Sequence, residues 1–498
     1  MKVLLVYPKC PDSFWSFTHA LKFISKKAAV PPLGLITVSA MLPETWQKKL
    51  VDLNISPLQT SDIQWADYVF ISAMYIQKES VTKVIAESKK WGKKIVAGGP
   101  LFTQEYPNYP DVDHFILNEA EITMPLFLAD INTGQLQRVY ATDKYADLTQ
   151  TPAPDFHLLS AKDYANMNIQ VTRGCPYNCS FCEITSLLGH KMRMKSTPQI
   201  INELDVLYDT IKWRGPVSIV DDNFIGNIKE IKKSLLPAMK KWMQSHKYPF
   251  NFSIQSSINL ADDKELMSQL IDAGFNAAFI GIETPDEVSL QSCNKVQNKN
   301  RDLIQSVKTI QQAGIQVSGG FIVGFDSDTP SVFQRQIDFI QQSGIVSAMV
   351  GLLNAPKNTK LYNQLNAENR LTVEATGNNT DSSMNFIPKM DSNELQEGYK
   401  RIIKNIYSVK PYYKRVRRLL LNYNRLTKGK SKIKFSLLFA FLKSVYVIGF
   451  LDKGRTEYWK FVIWTLFNKP KLMVDALTYT VYGYHFRTVY GLRQIGIK

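Results

Sequence analysis

Cysteine is scarce in this chain, with five residues in 498. So few thiols in so long a chain exclude a disulfide framework and point to a reducing compartment. No apolar run reaches the roughly 20 residues of a spanning helix. The best candidate, FSLLFAFLKSVYVIGFL at 435–451, carries Lys443 near its middle. The start, MKVLLVYPKCPDSF, reaches proline and charge after five apolar residues. That is too short for a secretory signal and reads as a first buried strand. No GxGxxG follows any strand candidate, which removes the usual dinucleotide fingerprint. Solenoid repeats and low-complexity tracts are also missing.

What is present is ordinary globular composition, 45% hydrophobic and 21% charged. The length predicts roughly three domains at about 150 residues each. Residues 1–140 alternate short β-rich runs (KVLLVYP, KKLVDLNI, DYVFISAM, KKIVAGGP, DHFILNEAE) with helical stretches such as LGLITVSAML and SVTKVIAESKKWG. This predicts an α/β domain with a doubly wound parallel sheet and ligand loops at the strand C-termini. A linker over 141–165 includes the Pro-rich LTQTPAPDF. Over 166–390 the alternation restarts with six runs, MNIQVTRG, PVSIVDD, FNFSIQSS, AAFIGIET, QVSGGFIVGF and SAMVGLLN. Amphipathic helices separate them, which predicts a partial (βα)6 barrel with its site at the strand C-terminal ends.

Residues 391–498 read as helical, basic and aromatic. They hold 22 lysines and arginines against 6 carboxylates, so the whole net charge of +16 lies there. Basic residues among Trp, Tyr and Phe fit a helix lying on an anionic membrane surface. A helical cap on the barrel with a basic outer face is the structural alternative. Nucleic acid is not expected, since no recognition motif accompanies the charge.

Cys175, Cys179 and Cys182 fall within RGCPYNCSFCEI as CxxxCxxC, just after the first strand of the second alternation. Structural zinc takes four ligands, usually in two close pairs, and no second pair is present. Three thiolates on one loop suit a 4Fe–4S cluster with one iron lacking a protein ligand. From the residues alone, an incomplete zinc site and unliganded thiols stay open.

The motif CPYNCSFC opening a βα barrel resembles the radical S-adenosylmethionine superfamily. That resemblance implies a 4Fe–4S cluster whose open iron holds S-adenosylmethionine, cleaved by one electron to a hydrogen-abstracting radical. It implies adenine packing at Phe181 and contact with the methionine amine at Asp221 and Asp222 of VDDNF. It also implies ribose contact at Glu283 of GIET, and close backbone approach at Gly319, Gly320 and Gly324 of SGGFIVGF. The plain alternatives are that Asp222 caps a helix and Glu283 is a surface carboxylate.

The domain ahead of the barrel resembles the cobalamin-binding subclass. Ser72-Ala73-Met74 and Gly98-Gly99 match the small-residue strand ends that admit the corrin's nucleotide tail, and PPLGLITVSAML resembles the subclass's first helix. The Asp-x-His-x-x-Gly of mutase-type cobalamin domains is missing, and His19 is misplaced for it, so no protein histidine is expected below cobalt. Cys10 lies near that place and is read as a packed or exposed thiol. NAPKNTKLY at 354–362 lacks the glycine of the family's Pro-Gly-Thr loop.

This likeness, extending to the hopanoid C-2 methylase group, implies a cobalamin-dependent C-methyltransferase acting on an unactivated carbon, with a hopanoid or other polycyclic lipid as the implied substrate. Cyclisation or rearrangement is the alternative outcome, and a cobalamin-binding sensor without turnover is the distant one. A flavodoxin or ferredoxin is the implied electron donor. The expected location is the cytoplasm, peripheral to the membrane's inner face.

Overall fold

The computed structural model of the chain describes residues 1–378, 380–425 and 435–493. Parts of the basic C-terminal segment, 426–434 and 494–498, lie outside the described residues.

The first apolar runs become strands because each is buried on both faces. β1 (Lys2–Tyr7), β2 (Gln47–Asp52), β3 (Tyr68–Ser72), β4 (Lys94–Gly98), β5 (His114–Ile116) and β6 (Val139–Tyr140) form one parallel sheet, in the order β2-β1-β3-β4-β5-β6. Val3 and Leu5 pack on one face, and Leu4 and Val6 on the other. The side chains of one strand thus supply two cores, as a doubly wound sheet requires. The order reverses between β1 and β3, and a crevice opens at their C-terminal ends. β6 was not expected; it is a two-residue strand.

In the second unit, β7 (Met167–Ile169) leads to a short antiparallel hairpin, β8 (Thr172–Arg173) with β9 (Arg193–Met194). Then come β10 (Pro216–Ile219), β11 (Asn251–Ser256), β12 (Phe275–Glu283), β13 (Gln316–Val323) and β14 (Ala348–Leu352). The six long-range partners pair in parallel as β14-β13-β12-β11-β10-β7, the open arc of a partial barrel. Burial alternates along β11. Phe252, Ile254 and Ser256 are buried toward the helices, whereas Gln255 faces the inside of the arc and is exposed.

The C-terminal residues are helical and close onto this arc. Helices Ser392–Tyr407 and Val409–Asn422 lie against helix Ser331–Ser343 of the barrel, and the Tyr407 hydroxyl donates to the Ala348 carbonyl of β14 at 2.6 Å. Helix Met473–Val489 stacks Phe486 on Phe14 of the loop after β1, with ring centroids 4.3 Å apart. One apolar core runs through the barrel, these helices and that loop. The cap alternative describes this packing. Part of the positive charge is internal, since Arg415 and Arg487 are buried. No helix among the described residues is long and apolar enough to cross a membrane.

Candidate functional site

A cavity of about 610 Å³ lies where the C-terminal ends of the two sheets face each other. Its first wall is built by β3, β4 and the helix Leu33–Met41, and includes Ser72, Gly98 and Gly99. A side chain at Gly98 would put its Cβ 2.7 Å from the Ile116 carbonyl oxygen. At Gly99, where φ is +90°, it would come within 2.9 Å of the Ser72 hydroxyl. The glycine pair therefore lines the cavity with bare backbone, a slot in the wall where the neighbouring protein leaves no room for a side chain. Ala73 does not face this slot; its side chain is buried in the sheet's apolar core, because neighbouring strand residues point to opposite faces.

The second wall comes from the barrel and includes Gln170, Arg173, Glu183, Val220 and Asp222. The cysteine loop joins it through Ile184 and Leu187 of the short helix Ile184–Leu188. Cys175, Cys179 and Cys182 are free, half-buried thiols on this loop. Burial pushes all three above the ordinary thiol range, Cys182 to about 12. Among the described residues no three His, Cys, Asp or Glu side chains converge on one ion position. Cys293 is closer than its sequence distance suggests. Its carbonyl accepts the Ser180 amide at 3.0 Å, while its own thiol is buried among apolar side chains. Phe181 packs its ring against Phe325, with centroids 6.2 Å apart.

Asp221 and Asp222 part company. Asp221 is fully buried, and both its oxygens are taken: Val171 N donates at 2.8 Å, Thr172 N at 2.9 Å and the Thr172 hydroxyl at 2.7 Å. It ties β10 to the strand end that enters the cysteine loop and offers nothing to a ligand, which corrects the expectation of amine contact there. Asp222 lines the cavity. Its carboxyl is pushed up to about 6, first by burial and further by Glu183, against its own backbone amide and Arg173.

Glu283 is buried, not a surface carboxylate. The pairing of β12 with β13 shifts register between Gly281 and Glu283, and Glu283 takes φ +63°. Such a bulge re-aims a side chain at a strand end, and a left-handed glutamate is a strained position. Lys295 Nζ meets Glu283 Oε1 at 2.6 Å. Burial works against that ammonium, but Glu283 and Cys179 outweigh it and hold its proton more tightly than in an ordinary lysine.

Lys295 and its neighbours were not picked out from the sequence as site residues. Gln297 Nε2 donates to Cys179 Sγ at 4.0 Å, Asn294 donates to the Asn178 carbonyl, and Asn298 donates to the Gly281 and Ile282 carbonyls. The polar run NKVQN thus clips the cysteine loop to the bulge. Its density of amides was the only available signal.

The glycines of β13 and its exit differ in role. A side chain at Gly320 would meet the Phe279 ring, whereas the space beside Gly319 is filled by Phe321 and Ile345 of the outer layer. At both positions a side chain would meet protein, and neither glycine lines the cavity. Gly324 takes φ +104° and its amide donates to Asp328. In the loop that lacks the family's glycine, Asn358 adopts φ +65°, a conformation asparagine tolerates well.

The two walls are bolted together by charge. Arg173 forks onto Glu121 at 2.7 and 3.0 Å, and Arg193 onto Glu119 at 2.6 and 2.7 Å. The arginines face each other across the β8–β9 hairpin that brackets the cysteine loop. The glutamates stand at the start of helix Ala120–Thr133, after β5. Burial pushes the Glu121 carboxyl up, but Arg173 outweighs it and holds it below the usual range. His19 is remote from the cavity, paired with Asp12 at 3.4 Å, and no histidine lines the cavity wall. Cys10 is packed near Tyr7 and Asp52; burial, helped by Asp52, pushes it up to about 11 against hydrogen bonds with Tyr7 and Gln77.

Comparison with known proteins agrees with this geometry. Residues 169–340 match the radical SAM superfamily, and residues 359–495 match a domain of unknown function (DUF4070). An uncharacterised methyltransferase of Synechocystis sp. is 37% identical, over 98% of this chain and 91% of its own length. The hopanoid C-2 methylase of Rhodopseudomonas palustris is 33% identical, over 78% of this chain and 73% of its own. Among solved structures, the cobalamin-dependent S-adenosylmethionine radical enzyme OxsB superposes with a TM-score of 0.64 at 15% identity, covering 99% of this chain and 79% of that one. The radical S-adenosylmethionine methyltransferase TsrM from Kitasatospora setae gives 0.60 at 13% identity, covering 92% of this chain and 98% of that one. Matched by one methyltransferase over 98% and by another over 78% of its length, and carrying the three-cysteine loop at the mouth of its barrel, this chain belongs to the radical SAM methyltransferase family.

Proposed function

We propose that this chain is a cobalamin-dependent radical S-adenosylmethionine C-methyltransferase acting on an unactivated carbon of a hopanoid or another polycyclic lipid. The observation that carries the reading is the single cavity that has the Gly98-Gly99 slot in one wall and Asp222 with the cysteine-loop helix in the other. When bound, the cluster with S-adenosylmethionine supplies hydrogen abstraction, and cobalamin supplies a transferable methyl group. The protein's part is placement and exclusion of water.

The donor sets fit these groups. Cys175, Cys179 and Cys182 would hold three irons of a 4Fe–4S cluster. Asp222 would accept from the substrate ammonium of S-adenosylmethionine, Glu283 from its ribose, and Phe181, Gly320 and Gly324 would border its adenine. Ser72, Gly98 and Gly99 would admit the tail of cobalamin, and no histidine is among the cavity's lining residues. Trp15, 42% exposed, reaches from the loop after β1 to Phe279 of β12 and Met349 of β14 on the inner face of the arc. This apolar cluster favours a hydrocarbon acceptor, in line with the named activity of the Rhodopseudomonas relative. A flavodoxin or ferredoxin would supply electrons, and a lipid substrate would bring the enzyme to the cytoplasmic face of a membrane.

The test is anaerobic reconstitution with iron, sulfide and cobalamin, followed by trideuteromethyl S-adenosylmethionine, a low-potential reductant and a hopanoid. The expected products are 5′-deoxyadenosine and a hopanoid carrying the label. Replacing Cys175, Cys179 and Cys182 together by Ala should abolish iron and both products. Cleavage that persists in that variant would remove the cluster assignment, and failure to take up cobalamin would remove that of the first domain. A product altered without label would mean cyclisation or rearrangement instead.

A further inference from the structure

Exposed apolar side chains are not spread evenly over this molecule. Ten large ones lie between Leu438 and Val474, nine of them on two consecutive helical elements and Val474 at the start of the next helix. The first element is helix Phe435–Ser444 with its π-helical continuation Val445–Leu451, and the second is helix Arg455–Asn468. On the first, Leu438, Leu442, Tyr446 and Phe450 recur every four residues and form one outward row. On the second, Ile463 and Phe467 are likewise four apart, and Phe467 is 80% exposed. The opposite faces carry Ile448, Tyr458 and Phe461, all fully buried in the same core. Trp459 Nε1 donates to the Gly449 carbonyl at 3.0 Å and locks the two elements side by side. Two adjacent helices that bury their inner faces in one core present their outer faces to the same side. A contiguous apolar surface of this kind on a folded chain marks an interaction site.

The charge on this stretch says what covers it. Residues 438–474 hold six lysines and arginines against Asp452 and Glu457. Asp452 is buried, where its carboxylate accepts from the Gly454 amide, and Glu457 is paired with Lys460 at 3.0 Å. Lys453, Arg455, Lys460 and Lys471 are exposed around the apolar rows. A second copy of the chain would bring like charge against like charge. An anionic lipid surface meets both features, taking the aromatic side chains among its acyl chains and the ammonium groups at its phosphates.

We infer that the outer face of 438–474 is a membrane-docking surface that inserts Phe450 and Phe467 into an anionic bilayer without spanning it. The proposal deepens the lipid-substrate reading above by naming the surface that would meet the lipid. It also moves the docking surface from the basic segment at large, where Arg415 and Arg487 are buried, to one aromatic face with a basic rim.

The test uses the full-length protein, without added cofactors, at low salt. Its probes are vesicles of phosphatidylcholine alone or mixed with phosphatidylglycerol. The wild type should co-sediment with the mixed vesicles. Phe450→Ser with Phe467→Ser should weaken this by about tenfold or more, since two partly inserted rings are lost. Both side chains are mostly exposed, so the double variant should keep the wild-type circular dichroism and melting temperature. Lys460→Glu with Lys471→Glu should weaken binding to mixed vesicles only. Co-sedimentation unchanged by the Phe variants would overturn the proposal, as would a wild type that ignores both vesicles. A solution dimer that the Phe variants dissolve would do the same, because a second copy would then cover the face. Label transfer to a hopanoid by a protein that ignores vesicles sinks this inference alone. Vesicle binding by a protein that transfers no label sinks the methylation reading alone.

Discussion

Adjacent carboxylates on one loop do opposite work here. Asp221 accepts three hydrogen bonds inside the barrel wall, and Asp222 faces the cavity beside Arg173 and Glu183. An amide can imitate only part of the first arrangement, because one of its two terminal atoms donates. Asp221→Asn should therefore cost about 1–3 kcal/mol, by leaving a Val171 or Thr172 donor buried and unmatched. Chemical denaturation of the cofactor-free protein measures this. Asp222→Asn should leave the denaturation midpoint at or above that of wild type, since it removes a carboxylate that burial disfavours. It should also weaken S-adenosylmethionine binding, measured calorimetrically on the reconstituted protein. Equal stability losses in the two variants would erase the distinction. The sequence showed VDDNF at a strand end, which was enough to find the pair. It could not say which member turns inward, because a one-residue change of register exchanges the faces.

At the scale of elements, the β8–β9 hairpin is fastened to the first domain by its flanking arginines. Glu119 and Glu121 are nearly buried, so each fork is worth little as net stability but is costly to break on one side. Glu121→Gln should lose about 3 kcal/mol in thermal or chemical denaturation. Its more telling effect should be on coupling. S-adenosylmethionine cleavage should persist while label transfer per cleavage falls, because the cysteine loop is no longer fixed against the Gly98-Gly99 slot. An unchanged ratio would leave the clamp a purely structural feature.

None of this clamp was legible beforehand, since Arg173 and Glu121 are 52 residues apart and either alone reads as a surface charge. The eleven longer strands were legible, because a strand buried on both faces writes itself as a short β-rich run. The two-residue strands β6, β8 and β9 write nothing of the kind. At Gly98, Gly99 and Gly319 alike a side chain would meet protein, and only the first two line the cavity, because glycine makes room equally for a ligand or for a neighbouring phenylalanine and the sequence does not distinguish the two.

Over the whole molecule, the C-terminal helices are structural members as well as the carriers of the proposed docking face. Arg415 is fully buried, donates to the Ile406 and Val346 carbonyls, and lies over the rings of Tyr407 and Tyr412. Removing residues 391–498 would strip an apolar core shared with the barrel, so the truncated chain should be insoluble and not a working barrel without its tail. Recovery of a soluble, cooperatively melting fragment 1–390 would contradict the continuous core.

The same helices hold the loop that carries Trp15 into the arc. His485 Nε2 donates to the Phe14 carbonyl at 3.1 Å, and its ring stacks on Phe17. Burial lowers the pKa of His485 to about 4, helped by His19 and opposed by the Phe14 carbonyl and Asp12. A histidine whose folded value is depressed contributes its stability above the unfolded value, near 6.5, and loses it as pH falls toward 4. The loss should approach about 3 kcal/mol at the lower end, from a shift of this size in a fully buried group. Melting temperature should therefore fall between pH 7 and pH 4.5, and the fall should be visibly shallower in His485→Gln, which has no proton to take up. If both proteins decline in parallel, acid sensitivity arises elsewhere. If only the wild type declines, the hold of the C-terminal helix on the Trp15 loop is what acid releases, and substrate selectivity should relax over the same pH range.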